Sequence, residues 1–92
     1  MRSPATHFDA TAPWRLGEQV SLRDESFGAL AYHHGTRRLV FVKSVELAEL
    51  IARLEQFESA QGALGALVPV AQHGRYVTAL ATLRDAQIIH ER

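Results

Sequence analysis

The feature that most constrains the fold is a change of rhythm at Ser44. Before it apolar residues recur at alternate positions, and after it at every third or fourth position. Alternation places side chains on the two faces of a strand, whereas spacings of three and four place them on one face of a helix. In Gln19–Arg23, Val20 and Leu22 oppose Gln19, Ser21 and Arg23, which predicts a half-buried strand. Asp24-Glu25-Ser26 reads as a turn. A second strand is predicted over Phe27–His33, with Leu30 and Tyr32 on one face and Phe27, Ala29 and Ala31 on the other. Gly35-Thr36 reads as the next hairpin turn, where glycine supplies positive φ without steric cost. Arg38–Lys43 completes a three-stranded antiparallel meander.

Beyond Ser44 the helical signals accumulate. Ser44 is a candidate N-cap, and Glu46 places negative charge in the first turn. Leu47, Leu50, Ile51, Leu54 and Phe57 then share one face, and Glu49 and Arg53 form an i,i+4 pair. Ser59 caps a second helix predicted over Ala60–Val68, where Gly62 and Gly65 each cost about 1 kcal/mol but permit close helix contact. Pro69 ends it. A third helix is predicted from His73 to Ala86 with Tyr76, Val77, Leu80 and Leu83 inward, and Ile88 and Ile89 form an extended tail packing back. The expected architecture is α+β, winged helix-turn-helix-like: a three-stranded antiparallel sheet followed by three helices. Residues 1–13 are expected to form a flexible tail, and residues 14–92 a single domain. Trp14 is either an anchor at the domain edge or a partner-binding residue.

The totals exclude several function classes. Ten basic residues balance ten acidic ones, so no global field draws in nucleic acid. The predicted third helix offers only Arg75 and Arg84, with Asp85 beside them, which argues against a DNA-reading winged helix. The chain has no cysteine, which removes disulfides, thiolate metal sites and cysteine nucleophiles. No apolar run reaches the roughly 18–20 residues that span a bilayer, and the N-terminus lacks the apolar core of a signal peptide; the expected location is the cytoplasm. His33 and His34 are adjacent on a strand and point to opposite faces, so they are read as one exposed and one partly buried side chain rather than a metal site. Ser44 and Ser59 are explained by capping. No catalytic or cofactor-binding constellation emerges, and no enzyme is expected.

One strand poses a problem. Leu39-Val40-Phe41-Val42 is apolar on both faces, and it falls at the rim of the meander. Its outer main-chain groups are then unpaired, and an apolar edge invites another strand to add. The predicted third helix could wall such a groove with Tyr76, Leu80 and Leu83, or these residues could be core alone. Arg37, Arg38 and Lys43 cluster around the strand. They either protect a solvated edge or meet an acidic peptide.

The stretch VSLRDESFGALAYHHGTRRLVFVKS, Val20 to Ser44, resembles the peptide-chaperone family of mycofactocin biosynthesis, within the PqqD-like RiPP recognition elements. The marks are Arg23 with the acidic turn, Phe27-Gly28-Ala29-Leu30, Tyr32-His33, Gly35-Thr36-Arg37 and the apolar strand ending at Lys43-Ser44. The resemblance covers about residues 14 to 90. It departs at Ala31 and His34, where larger or aromatic residues are expected, and at Asp85-Ala86-Gln87, where a small or glycine-containing exit is expected. It implies a non-catalytic chaperone without cofactor that binds the leader of a ribosomally made precursor peptide as an added strand and presents it to a radical-SAM maturase. The implied peptide-binding residues are Arg37, Arg38, Leu39, Val40, Phe41, Val42, Lys43, Tyr76, Leu80 and Leu83. A homodimer through the same edge stays open, so the protein is expected to be a monomer or weak homodimer.

Overall fold

The computed structural model describes residues 8–92. Its elements follow the order β1 (Trp14–Leu16), β2 (Val20–Glu25), β3 (Gly28–His33), β4 (Arg38–Val42), α1 (Val45–Arg53), α2 (Ala60–Leu67), α3 (His73–Asp85) and β5 (Ile89–Glu91). The fold is the expected α+β arrangement, with the antiparallel sheet β2-β3-β4 preceding three helices. A second ladder pairs β1 with β5, Trp14 opposite Glu91 and Leu16 opposite Ile89. The tail therefore packs back on the domain, with Ile89 in β5 and Ile88 just before it, and both residues are fully buried.

The predicted lead-in divides in two. Residues 1–7 lie outside the described residues. From Phe8 onward the chain is packed: Phe8 and Ala12 are buried, and the Phe8 ring stacks on Trp14 at 4.6 Å. Trp14 is buried and donates its indole N–H to the Asp9 carbonyl at 2.8 Å, so it serves as an anchor. The backbone of Ala60 and Gln61 donates to the carbonyls of Ala12 and Ala10, which ties this segment to the start of α2. Low hydrophobicity hid an anchored segment that relies on one aromatic pair.

The first hairpin is tighter than expected. Glu25 pairs directly with Gly28, leaving only Ser26 and Phe27 as the loop, so Asp24 and Glu25 belong to the strand. Gly28 takes φ 148°, in a region essentially reserved for glycine. Its α-carbon also lies against the β4–α1 junction. A β-carbon there would collide with the Val42 carbonyl oxygen and meet the Ser44 nitrogen at 2.7 Å. The second hairpin corrects another expectation: Arg37, not Gly35, holds the left-handed conformation, at φ 63°. Gly35 is needed for space, since a β-carbon there would run into the Gln19 side chain and the His33 ring. His33 is buried, and its Nδ1 accepts the backbone N–H groups of both Gly35 and Thr36 at 3.0 Å. His34 is exposed and contacts Ser21 instead.

The helices begin as their caps dictate. Ser44 Oγ accepts from Leu47 N at 3.1 Å and Ser59 Oγ from Gly62 N at 3.0 Å. Glu49 and Arg53 pair at 3.1 Å. Gly62 and Gly65 are exposed rather than at a helix contact; the close approach at α2 comes from the fully buried Ala60 and Ala63. The exit from α3 is a Schellman motif. Gln87 is left-handed at φ 65°, Gln87 N donates to Arg84 O, and Ile88 N donates to Leu83 O, both at 2.9 Å. The core lies between the sheet and the helices, with Val42, Leu50, Ile51, Leu54, Leu64, Leu80, Ile88 and Ile89 its largest sealed side chains. Each such aliphatic side chain contributes about 1.5–3 kcal/mol by burial.

Candidate functional site

β4 pairs only with β3, through Arg38–His33, Leu39–Tyr32, Val40–Ala31, Phe41–Leu30 and Val42–Ala29. Its other side is an open edge of the three-stranded sheet. In an antiparallel ladder alternate residues turn both main-chain groups away from their partner strand. Those groups on β4 meet no further strand among the described residues.

The two faces of β4 differ. Val42 is buried and Val40 half-buried against the core. Leu39 and Phe41 point the other way and are 49% and 55% exposed. The helices cover only one face of this small sheet, so the outward row stays bare. Phe27 joins it. Sequence alternation had grouped Phe27 with Ala29 and Ala31, but it lies in the hairpin loop, is 40% exposed and stacks on Phe41 at 6.0 Å. Leu30, opposite Phe41, and Tyr32, opposite Leu39, are half-buried and complete an apolar strip. Arg37, Arg38 and Lys43 are all exposed at the two ends of the strand. Among the described residues, none of the three is in an ion pair.

α3 presents a different surface from the one expected. Leu80 and Leu83 are 0% and 3% exposed. Their side chains are sealed in the core and line no open groove. Tyr76 is also buried, but its hydroxyl lies 3.5 Å from Ser44 Oγ, at the end of β4. There a small cavity of about 100 Å³ opens, lined by Ser44, Leu47, Arg75, Tyr76 and Ala79. The structure thus brings Tyr76 together with the β4 terminus and sets Leu80 and Leu83 behind it. Arg75 and Ala79 lie off the apolar stripe of α3 and were not among the expected site residues; they are spaced i,i+4 and so share a helix face beside Tyr76.

A larger open cleft of about 790 Å³ lies between the β1–β5 ladder and the His33 end of the sheet. Its charges largely answer one another. Arg15 faces Glu18 at 3.2 Å and Glu55 at 3.9 Å, and Arg92 donates to the carbonyls of Glu55 and Phe57. Volume favours this cleft, and Arg15 Nε is buried there without a hydrogen-bond partner among the described residues; the open β4 edge offers a row of main-chain groups instead. No group of three or more potential metal ligands occurs among the described residues, and no helix among them is long and apolar enough to cross a membrane.

The fold and edge define a small α+β domain of winged helix-turn-helix-like type with an apolar, base-flanked strand at one edge of its sheet. Comparison with known proteins places it more closely. The profile of the peptide chaperone MftB family matches residues 13–90, and the chain belongs to that family. It is 40% identical over 83 residues to peptide chaperone MftB of Mycolicibacterium smegmatis, covering 89% of this chain and 81% of that one. It is 35% identical over 92 residues to peptide chaperone MftB of Mycobacterium tuberculosis, covering 99% and 84%. The Mycobacterium ulcerans protein of the same name is 36% identical over 83 residues, covering 89% and 76%. No solved structure matches the chain significantly.

Proposed function

We propose that this protein is a non-catalytic peptide chaperone. It binds the leader of a ribosomally synthesised precursor peptide as a fourth strand on the free edge of β4 and delivers it to a radical-SAM maturase of mycofactocin biosynthesis, in the cytoplasm. The observation that carries the reading is the open edge of β4 in a member of a peptide chaperone family. Strand addition uses the unpaired main-chain groups for affinity and leaves specificity to side chains. Leu39, Val40, Phe41 and Val42 supply the strand. Arg37, Arg38 and Lys43 attract acidic leader residues. The cavity beside Tyr76 is the size of one aliphatic side chain and receives a residue of the guest strand that points inward.

The test is fluorescence anisotropy with the labelled leader of the precursor encoded near this gene. Saturable micromolar or tighter binding, competed by unlabelled leader, is the expected result. Phe41→Pro should abolish it, because proline removes a main-chain donor and its ring obstructs pairing. Circular dichroism must show the variant folded, and Phe41→Thr serves as the strand-compatible control. A folded Phe41→Pro protein that binds like the parent refutes strand addition.

A further inference from the structure

The proposed strand addition explains the edge but leaves the bare outward row of β4 unused. That row is Leu39 and Phe41, backed by Phe27 and Leu30, with Lys43 next in the alternation. We infer that this outer sheet face reads the guest strand, selecting leaders with two apolar residues spaced two apart and an acidic residue a further two positions toward Lys43.

The inference rests on the strand-addition reading and follows from its geometry. A strand added beside β4 continues the sheet. Its alternate side chains must point to the outer face and stand about 4.5–5.5 Å, Cβ to Cβ, from the β4 residues opposite them. Leu39 and Phe41 are successive members of the outer row, so they meet successive outward residues of the guest. A polar guest would leave both apolar groups in water and gain nothing there. Two apolar residues would close a strip that already holds the stacked Phe27 and Phe41 rings. Lys43 is exposed and sits where the row runs out, so a carboxylate fits opposite it. The inward residues of the guest see different surroundings: Arg38 at one end, and at the other the small cavity of Ser44, Leu47, Tyr76 and Ala79. The two faces therefore read two interleaved sets of residues, and the outer set is assigned to a surface that the expected groove against α3 does not include.

The test is a coupled titration. Leader peptides with threonine placed singly at each position are bound to the parent protein and to the double variant Leu39→Thr, Phe41→Thr. Threonine keeps strand propensity and leaves the edge intact. In the parent, the two outward apolar positions should together account for about a 3- to 30-fold loss of affinity, and the two sites should be spaced two apart. In the double variant the same peptide changes should have almost no effect. Losses that persist undiminished in the double variant overturn the outer-face assignment while leaving strand addition standing. Absence of leader binding by the folded parent overturns both. Thermal melts that match within a few degrees exclude unfolding as the cause, as expected for two half-exposed side chains.

Discussion

Gly28 offers the sharpest check on how the sheet is held to the helices. Alanine there meets two penalties. The first is backbone strain at φ 148°, about 1–3 kcal/mol for a residue forced into a sparsely populated region. The second is overlap of the new β-carbon with the Val42 carbonyl oxygen, with Ser44 N and O at 2.7 and 2.9 Å. These are main-chain atoms of a strand end and a helix cap, so they cannot swing aside as a side-chain tip can, and overpacking of this kind costs about 1–3 kcal/mol. Together Gly28→Ala should lose about 2–6 kcal/mol. A domain of this length has about 5–14 kcal/mol in all. At about 4–8 °C per kcal/mol for a domain this small, the melting temperature should fall by at least about 8 °C. Gly65 supplies a control with the same chemical change. It lies within α2, and a β-carbon there meets nothing within 4 Å, so Gly65→Ala should raise stability by about 1 kcal/mol through helix propensity. Thermal and urea unfolding followed by circular dichroism measure both. A Gly28→Ala melting temperature within about 3 °C of the parent, or equal shifts in the two variants, would refute the reasoning.

Three further outcomes follow from the geometry. Gln87→Gly should stabilise the protein by about 0.5–1 kcal/mol in urea unfolding, because glycine occupies the left-handed exit of α3 without the β-carbon penalty. His33→Ala should cost about 1–3 kcal/mol by stranding the N–H groups of Gly35 and Thr36, and His33→Asn, whose carbonyl can accept from the following turn, should recover part of the loss. Arg37→Glu should shift the protein from monomer toward dimer in light scattering at low salt, while weakening leader binding in anisotropy.

What the sequence disclosed and what it concealed have a common physical origin. Periodicity reports faces, so the meander, all three helices and the buried stripe of α1 were legible from alternation and from i,i+3,i+4 spacing. Ser44 and Ser59 marked their helix starts because capping needs a side-chain acceptor at a fixed position. Periodicity does not report which face a three-stranded sheet leaves uncovered, and it did not show that Leu39 and Phe41 point to solvent while Val42 is sealed. Nor does it locate a two-residue loop: Phe27 looked like a strand residue because Ala29 and Ala31 continue its alternation. At the candidate site, the strand and its basic ends were readable as residue types. The separation of Tyr76, which reaches the cavity, from Leu80 and Leu83, which do not, depends on how α3 is rotated against Ser44. All three belong to one apolar stripe, and the stripe alone does not set that rotation.

An open apolar strand is a hazard as well as a site, since a second copy carries the same edge. The charges flanking β4 bear on this choice. If two copies paired antiparallel about Val40, Leu39 would face the second copy's Phe41, an acceptable apolar match. The same register would set Arg37 opposite the second copy's Lys43 at both ends of the ladder. Like charges placed directly across strands destabilise the pair, and in this register a copy of the chain brings them twice. A guest strand with acidic residues at those points replaces the repulsion with attraction while meeting the same apolar centre. One set of basic residues thereby disfavours self-pairing and favours an acidic leader, and reversing one of them should move both equilibria in opposite directions. Dimer formation by Arg37→Glu with leader affinity unchanged would separate the two roles and show that the charges only guard the edge.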